Sequence, residues 1–302
     1  MSQTISPKAG ILYGLKRVCT AWDVSRSTYY SRQKRLGCAN LCAKQNVLEK
    51  RGPKPRVSDS ELLSLIKTDI ISSPFKGEGH RKVHARLRRQ KIVVGRNRIL
   101  RIMKANNLLS PHRGIQAPKD PHDGTIITDK PNVMWCSDGT KIFTVDDGWV
   151  WIFSVEEHWN AECLGWHVCK TGDRFAALEP VTQGVKKIYG SATKGIASGL
   201  KLRIDNGSQY TSDYFLKQIA YLGIEDSFGF VQQPQTNGVA ERFNRTLKEQ
   251  ILEGRGFRNI EEVREAVGQF VEQYNAKWLL AKLDYQSPEE ARQKYLKERK
   301  VA

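Results

Sequence analysis

Hydrophobic and polar positions change their spacing along the chain. In residues 9–36 and again in residues 58–106, apolar side chains recur every three or four positions, which predicts amphipathic helices. From residue 133 to residue 169, aromatic and apolar runs are separated by turn residues, which predicts strands. Helical and strand patterns then alternate until two helical segments close the chain. The pattern therefore predicts a helical N-terminal part followed by an α/β domain.

The α/β part has a definite predicted order. Residues 133–145, 149–155 and 162–169 form three antiparallel strands, and a helix follows from residue 174 to about residue 191. A strand at 200–204, a helix at 213–222 and a strand at 224–228 come next. Asn237 is then predicted to cap a helix that opens on Glu241. Further helices are predicted past residue 260 and from residue 287.

Three carboxylates stand at notable places in this order. Asp205 follows a strand directly, Glu241 lies in the first turn of a helix, and Asp138 interrupts the first strand. An unpaired buried carboxylate is costly, so Asp138 needs compensation, which a divalent ion shared with Asp205 would supply. Carboxylates with few His or Cys residues around them favour Mg²⁺ or Mn²⁺ over zinc.

The helix that carries Glu241 has a basic face. At about 100° per residue, Arg245 and Lys248 fall within ~40° of Glu241, while apolar residues occupy the opposite half. An acid beside two bases suits a site that holds both a metal ion and a polyanion. The alternative is an ordinary surface ion pair between Glu241 and Arg245, four residues apart.

Charge is distributed unevenly along the 302 residues, whose net charge is +17. The first 120 residues hold 26 of the 49 bases and 7 of the 32 acids, a net of +19, so the remainder nets −2. This asymmetry predicts that the N-terminal part binds a polyanion, for which nucleic acid is favoured over a membrane surface. The apolar run 149–153 is too short to cross a bilayer. Six dispersed Cys residues and no signal-peptide pattern predict a cytoplasmic, nucleoid-associated protein without a membrane partner.

Two helix-turn-helix modules are predicted in the basic part. Residues 1–42 form the first, with Arg26 and Thr28 where a recognition helix meets DNA. Residues 43–57 are a basic linker, residues 58–112 form the second module, and residues 113–131 are a second linker. The candidate DNA-binding residues of the second module are Arg81, Arg96, Arg98 and Arg101. The alternative for the first module is a small structural helix pair.

The motifs around the three carboxylates resemble a known family. Asp138, Asp205 and Glu241, with thirty-five residues between the last two, resemble the D,D-35-E signature of the retroviral integrase superfamily. Lys248, seven residues past Glu241, matches a basic position of that signature. Within the superfamily, the chain resembles the second-frame (OrfB-type) catalytic proteins of bacterial insertion-sequence transposases. This resemblance rests on the segments WCSDGT at 135–140, DNGSQYTS at 205–212 and NGVAERFNRTLK at 237–248.

The resemblance implies a fold and a reaction. It implies a ribonuclease-H-like catalytic core at 132–256, with its first and fourth strands adjacent, and a C-terminal helical extension at 257–302. Asp138, Asp205 and Glu241 would hold two Mg²⁺ or Mn²⁺ ions. Arg242, Arg245 and Lys248 would contact DNA, and residues 231–238 would form a loop entering the site.

The implied activity is cleavage of insertion-sequence ends and joining of the freed 3′-OH to DNA. The implied partners are double-stranded terminal inverted repeats, target DNA, at least one further copy of the chain, and the first-frame protein of the element. The rival hypotheses are a catalytically inert DNA-binding regulator and a ribonuclease-H-like nuclease without strand transfer.

Two features depart from the family. Family members carry Arg-Pro-His after a Tyr-Asn pair, where this chain has Lys277-Trp278-Leu279-Leu280, which leaves the role of the C-terminal tail open. Retroviral integrases also have an N-terminal zinc module whose His pair precedes its Cys pair. Here the order is reversed, with the possible ligands Cys38, Cys42, His80 and His84, and helix surface and core positions are favoured over zinc.

Overall fold

The computed structural model describes residues 3–39, 56–111, 126–228, 237–252 and 254–301. Most of the two predicted linkers, the predicted loop from 231 to 236 and Cys42 lie outside the described residues. The chain divides into two compact units, Met1–Arg56 and Val57–Ala302. Among the described helices, none combines the length and the apolar character needed to span a membrane.

The first unit contains the predicted helix pair. Helix α1 covers Gly14–Ala21 and helix α2 covers Arg26–Ala39. The Ser25 hydroxyl accepts a hydrogen bond of 3.2 Å from the backbone N–H of Thr28, as expected for a residue that precedes a helix.

The second unit begins with three helices, α3 (Asp59–Ser72), α4 (His80–Arg89) and α5 (Arg96–Ala105). The Ser58 hydroxyl caps α3 by accepting from the Glu61 N–H at 3.1 Å. The Arg86 guanidinium ties α4 to α3, because it bonds both carboxylate oxygens of Asp69 and one oxygen of Glu78. The three helices share a small core made of Leu62, Ile66, Val83, Leu87, Ile99, Ile102 and Met103.

In the described part of the chain, five strands form one sheet. They are β1 (Met134–Thr144), β2 (Gly148–Glu157), β3 (Cys163–Cys169), β4 (Leu200–Ile204) and β5 (Ile224–Phe228), in the order β3-β2-β1-β4-β5. The first three strands are antiparallel to one another, whereas β4 is parallel to both β1 and β5. The predicted neighbourhood of the first and fourth strands is confirmed, and the order is that of a ribonuclease-H-like sheet.

Helices cover both faces of the sheet. Helices α6 (Arg174–Tyr189) and α7 (Asp213–Leu222) cover one face, over a core that includes Trp135, Phe153, Leu202 and Phe215. Helix α8 (Gly238–Leu247), a π-helical turn (Lys248–Leu252) and helix α9 (Ile260–Lys277) cover the other face. A short 3₁₀ turn (Ala281–Leu283) leads to the last helix, α10 (Pro288–Val301).

Two elements end at residues other than those predicted, for physical reasons. Helix α6 ends at Tyr189, because Gly190 adopts a left-handed conformation with φ of 80° and stops the helix. Strand β2 extends to Glu157, two residues beyond the prediction, and both Glu156 and Glu157 are fully buried. Two consecutive acids are untypical of a buried strand end, so the sequence pattern does not predict that β2 continues through Glu156 and Glu157.

Candidate active site

The strand register places two of the three acids side by side. Cys136 of β1 pairs with Arg203 of β4 in parallel alignment. Asp138 lies two residues past this pair on β1 and Asp205 lies two residues past it on the other strand, just beyond the end of β4, and the charge of Asp205 acts on the carboxyl of Asp138. Because side chains alternate along strands, Asp138 points to the same face as Cys136. This is the face that helix α8 covers.

Asp138 is held by two hydrogen bonds. The Gly139 N–H donates to Oδ1 at 2.8 Å, and the Asn244 amide on α8 donates from Nδ2 to Oδ2 at 2.9 Å. Burial raises the pKa of the Asp138 carboxyl and the nearby charge of Asp205 adds to this, while the two hydrogen bonds and Lys248 oppose the rise. The site therefore disfavours a bare negative charge on Asp138, which a bound cation would relieve.

Asp205 sits at the exposed start of the turn after β4. Its Oδ1 accepts from the Gly207 N–H at 2.9 Å. A Cβ on residue 207 would lie 2.9 Å from that oxygen and 2.4 Å from Nε2 of Gln209, so a larger residue there would displace both side chains. The turn thereby fixes one oxygen of Asp205 at the end of its strand.

Glu241 occupies the first turn of α8 with an exposed side chain. Burial of its carboxyl raises the pKa of Glu241, the charge of Asp138 raises it further, and Arg245 lowers it. Glu241 thus lies within electrostatic reach of Asp138. Among the described residues, however, no three His, Cys, Asp or Glu side chains are close enough together to form a metal-binding cluster. The helix brings Glu241 towards the two aspartates without completing a shared coordination site.

Asn237 does not cap α8 as the sequence predicted. It occupies the capping position, but its side chain makes no capping bond. Instead, its Nδ2 donates to the backbone carbonyl of Ser137 at 3.2 Å. The predicted capping position is confirmed, but the side-chain capping bond is not formed.

Side-chain hydrogen bonds hold β1 in place next to Asp138. The Ser137 hydroxyl donates to the Ser154 carbonyl at 2.9 Å and lies 3.0 Å from the hydroxyl of Tyr210. Asn237, Ser137, Tyr210 and Asn244 were missed by sequence reasoning. Asn244 could have been found, since it lies three residues past Glu241 and therefore near the same helical face.

The predicted basic residues of α8 lie around the acids. Arg242, Arg245 and Lys248 are all exposed. Arg245 acts on the pKa of Glu241 and Lys248 acts on that of Asp138, so both positive charges lie near the carboxylates. A negatively charged backbone could contact these side chains from solvent.

The N-terminal candidates differ in their surroundings. Arg98 and Arg101 both bond the Asp59 carboxylate, at 2.8 Å and 2.6 Å, and Arg98 also donates to the Val57 carbonyl. Arg26 is exposed on α2, whereas the Thr28 hydroxyl lies 2.8 Å from that of Ser25. Arg81 and Arg96 line an open cleft. The candidate zinc set cannot be assembled within the described residues, because Cys42 lies outside them.

Two segments of the chain match two different protein families. The integrase core domain family matches residues 222–288, and an HTH-like domain family matches residues 77–116. Transposase InsD for insertion element IS2A/D/F/H/I/K from Escherichia coli is 30% identical over 233 residues, covering 73% of this chain and 74% of the relative. The chain belongs to the insertion-element transposases. A second family member, the transposase for insertion sequence element IS629 from Shigella sonnei, is 24% identical over 296 residues, or 94% and 93% of the two chains.

Solved structures with some likeness to the chain are viral integrase cores. The catalytic core domain of BIV integrase covers 56% of this chain and 97% of its own, with 22% identity and a TM-score of 0.40. The HTLV-2 integrase catalytic core domain in complex with magnesium covers 53% and 96%, with 14% identity and a TM-score of 0.41. In the transposase chain itself, Glu241 lies inside the matched integrase core segment, and Asp138 and Asp205 precede it.

Proposed function

We propose that this chain is a DNA transposase that cleaves the ends of an insertion element and joins the freed 3′-OH to target DNA. The observation that carries the proposal is the parallel pairing of β1, which holds Asp138, with β4, which ends just before Asp205, on a sheet one face of which is covered by the helix that bears Glu241. Membership of the insertion-element transposases supports the reaction class, a polynucleotidyl transfer.

The three carboxylates fit a site for hard divalent ions. Asp138 and Asp205 would hold Mg²⁺ or Mn²⁺ between them, and Glu241 would complete the site for a second ion. The raised pKa values of Asp138 and Glu241 support this, because burial and then a neighbouring carboxylate disfavour their negative charge, which a bound cation would offset. When bound, such ions supply activation of the attacking oxygen and stabilisation of the leaving oxygen.

The chain's own residues position the reacting DNA. Gly139 and Asn244 fix the two oxygens of Asp138 in one orientation. Arg242, Arg245 and Lys248 would hold phosphates on either side of the scissile bond. Further DNA contacts are assigned to the helix-turn-helix modules at 1–42 and 58–112, and catalysis to residues 132–256.

Two displacements at phosphorus make up the reaction. In the first, a water oxygen attacks the phosphorus at the element end, and the DNA 3′-oxygen leaves and takes up a proton. In the second, that 3′-OH loses its proton and attacks a target phosphodiester, whose own P–O bond breaks as the new one forms. The number of phosphodiester bonds is conserved in the second step, so the joining requires no separate energy source.

Joining two ends requires them to be held together, so we propose that at least two copies of the chain act on the DNA. The first-frame protein of the same element is a proposed partner. The reaction would take place on the nucleoid in the bacterial cytoplasm.

An end-joining assay tests the proposal. Duplexes carrying the two ends of the element that encodes this chain are labelled at the 5′ end of the cleaved strand and incubated with the protein, Mg²⁺ and a plasmid target. The proposal predicts both a cleaved strand and label transferred to the plasmid. A shortened strand without transfer would identify a nuclease and contradict the proposal. Binding without any product would favour the DNA-binding regulator.

A further inference from the structure

An open basic cleft of about 850 Å³ lies in the second unit, and Asp138, Asp205 and Glu241 are not among the residues that line it. Its walls are helix α4, the start of helix α5 and the turn that precedes α10. The side chains that matter for its chemistry are Arg81, Arg88, Arg89, Arg96, His84 and Asp284. The cleft therefore combines residues of the HTH-like segment with residues nearly two hundred positions further along the chain.

Three arginines in the cleft are available to a ligand. Arg81, Arg88 and Arg96 are exposed, and none of them forms an ion pair with another described residue. Arg86 on the same helix is different, because Asp69 and Glu78 neutralise it. Arg81, Arg88 and Arg96 thus carry positive charge that no carboxylate among the described residues bonds.

The positive charges of Arg81 and Arg96 act on the same neighbouring side chain, His80. The pKa of His80 is lowered, first by burial and then by the charges of Arg81, Arg96 and His84. Gly95, which precedes helix α5, provides no side-chain cap, which leaves backbone N–H groups at the cleft for an anion to approach. Asp284 supplies the opposing negative charge in the lining.

The C-terminal segment is fastened to form one wall. Arg89 donates to both carboxylate oxygens of Glu290 at 2.9 Å and to the Tyr285 carbonyl at 2.7 Å. Glu290 and Ser287 also bond each other's backbone N–H groups, at 2.8 Å and 3.2 Å, which caps α10. Arg89 is therefore engaged in holding the wall, whereas Arg81, Arg88 and Arg96 remain for the ligand.

A second set of contacts braces the same helices against the C-terminal part. The Lys82 ammonium lies 2.9 Å from the ring centroid of Trp278, and the Phe75 ring meets that of Trp278 edge-on at 4.8 Å. The Gln250 side chain bonds both the N–H and the carbonyl of Lys76. Trp278 belongs to the segment that departs from the family motif, and here it braces the three-helix module.

We propose that this cleft is a binding site for the DNA backbone, shared by the three-helix module and the C-terminal segment. The inference rests on the proposed function for its choice of DNA as the polyanion. Guanidinium groups bind phosphates in a bidentate manner and keep their charge at all relevant pH values. The C-terminal turn is thereby part of the DNA-binding surface, and Arg81, Arg88 and Arg96 supply phosphate contacts, whereas Arg98 and Arg101 are occupied by Asp59.

Salt dependence of binding tests the arginines. The full chain is titrated into a fluorescein-labelled 30-bp duplex of mixed sequence, in EDTA, at several NaCl concentrations. Arg88→Ala and Arg96→Ala should each lower the slope of log K against log [NaCl] by about 0.9 and weaken binding several-fold. Arg299→Ala is the matched control, because Arg299 is an exposed arginine near the far end of α10. Unchanged slopes in both cleft variants, with melting temperatures like the wild type, would overturn the proposal.

A gain of affinity tests the C-terminal wall. Asp284→Asn removes the carboxylate that faces the bound anion, and asparagine tolerates the left-handed backbone at this position, where φ is 51°. Binding of the same duplex should tighten two- to five-fold, whereas Glu298→Gln on the exposed surface of α10 should change it less than two-fold. Equal affinities for Asp284→Asn and wild type would mean that the turn does not face DNA. These binding measurements use no divalent ion and involve no joining step. Their result therefore does not depend on whether the end-joining assay succeeds.

Discussion

A single residue, Asn244, links helix α8 to the carboxylate of Asp138. Its Nδ2 and the Gly139 N–H engage the two oxygens of Asp138 separately. Two fixed oxygens hold the carboxylate in one rotamer, which leaves its remaining lone pairs in a defined direction. Asn244 is therefore a positioning residue for Asp138.

Replacing Asn244 by Ala should slow end joining by about 10- to 100-fold, as loss of an outer-sphere partner of a metal ligand typically does. The lost hydrogen bond lowers the pKa of Asp138, so its removal should raise that pKa and shift the acid limb of the pH–rate profile to higher pH. The measurement is the joining rate from pH 5.5 to 8.5 at fixed Mg²⁺. Asn106→Ala, at the exposed end of α5, serves as the control and should keep the wild-type profile. A slower variant with an unshifted profile would argue against the positioning role.

Glu156 is a buried acid on the same sheet face as Asp138. Burial raises the pKa of Glu156 to about 8, and the charge of Asp138 adds to the effect. The folded protein then keeps a proton that the unfolded chain releases above about pH 4.5, so stability falls as pH rises from about 4.5 to 8. The loss by pH 7 is up to about 3 kcal/mol.

Glu156→Gln should remove this part of the pH dependence, because the amide stays neutral at every pH. Urea unfolding at pH 5.5 and pH 8 measures it, with Glu225→Gln on the exposed strand β5 as the control. We expect the Glu156→Gln variant to be more stable than the wild type at pH 8. An identical fall in stability for variant and wild type would contradict the assignment.

Helix α8 shows how far an element can be predicted from its sequence. Its amphipathic spacing correctly places Ala240, Phe243 and Leu247 in the core and Arg245 at the surface. The bounds of β4, α7 and β5 were also predicted, because turn and capping residues such as Ser212 and Gly223 mark them locally.

The contacts that α8 makes with the sheet could not be predicted in this way. The bonds from Asn237 to Ser137 and from Asn244 to Asp138 span about a hundred residues. Neither partner carries a local signal for the other, and asparagine at a capping position is common whatever its side chain bonds. The adjacency of β1 and β4 was expected from the resemblance, whereas the bonds that the two amides make to β1 were not predicted.

Phe243 anchors α8 on α9. It is 1% exposed, and its ring lies 5.8 Å from that of Phe270 and 5.0 Å from that of Tyr274. Phe243→Ala should lower the free energy of unfolding by about 3–5 kcal/mol, since the cavity left behind adds to the lost burial. Phe175→Ala, at a half-exposed position on α6, should cost much less. Equal losses in urea denaturation would show that α8 is not anchored through this ring.

Over the whole molecule, positive charge and carboxylate chemistry are separated along the chain. The first 120 residues carry the excess of bases, while the carboxylates of the proposed active site lie beyond them. Within the second unit, Trp278 and Arg89 connect the basic three-helix module to the C-terminal part of the chain. A module fastened in this way can present bound DNA to the sheet at a fixed distance.

Trp278→Ala should loosen this connection without unfolding the sheet. Hydrogen–deuterium exchange should become faster in α3 and α4, because Phe75 and Lys82 lose their contact, and stay unchanged in β1 and β2. Trp149→Ala is the control, since Trp149 is 62% exposed on β2. Exchange that rises equally in the sheet and the module would mean that Trp278 stabilises the entire unit.

End joining by variants of the three acids tests the central claim most directly. Asp138→Asn, Asp205→Asn and Glu241→Gln each remove one negative charge from the proposed metal site and leave the basic surfaces unchanged. We predict that all three bind the element ends as tightly as the wild type in EDTA, yet lose joining by at least about 10³-fold in Mg²⁺. An Asp205→Asn protein that still transfers the labelled strand in Mg²⁺ would contradict the account.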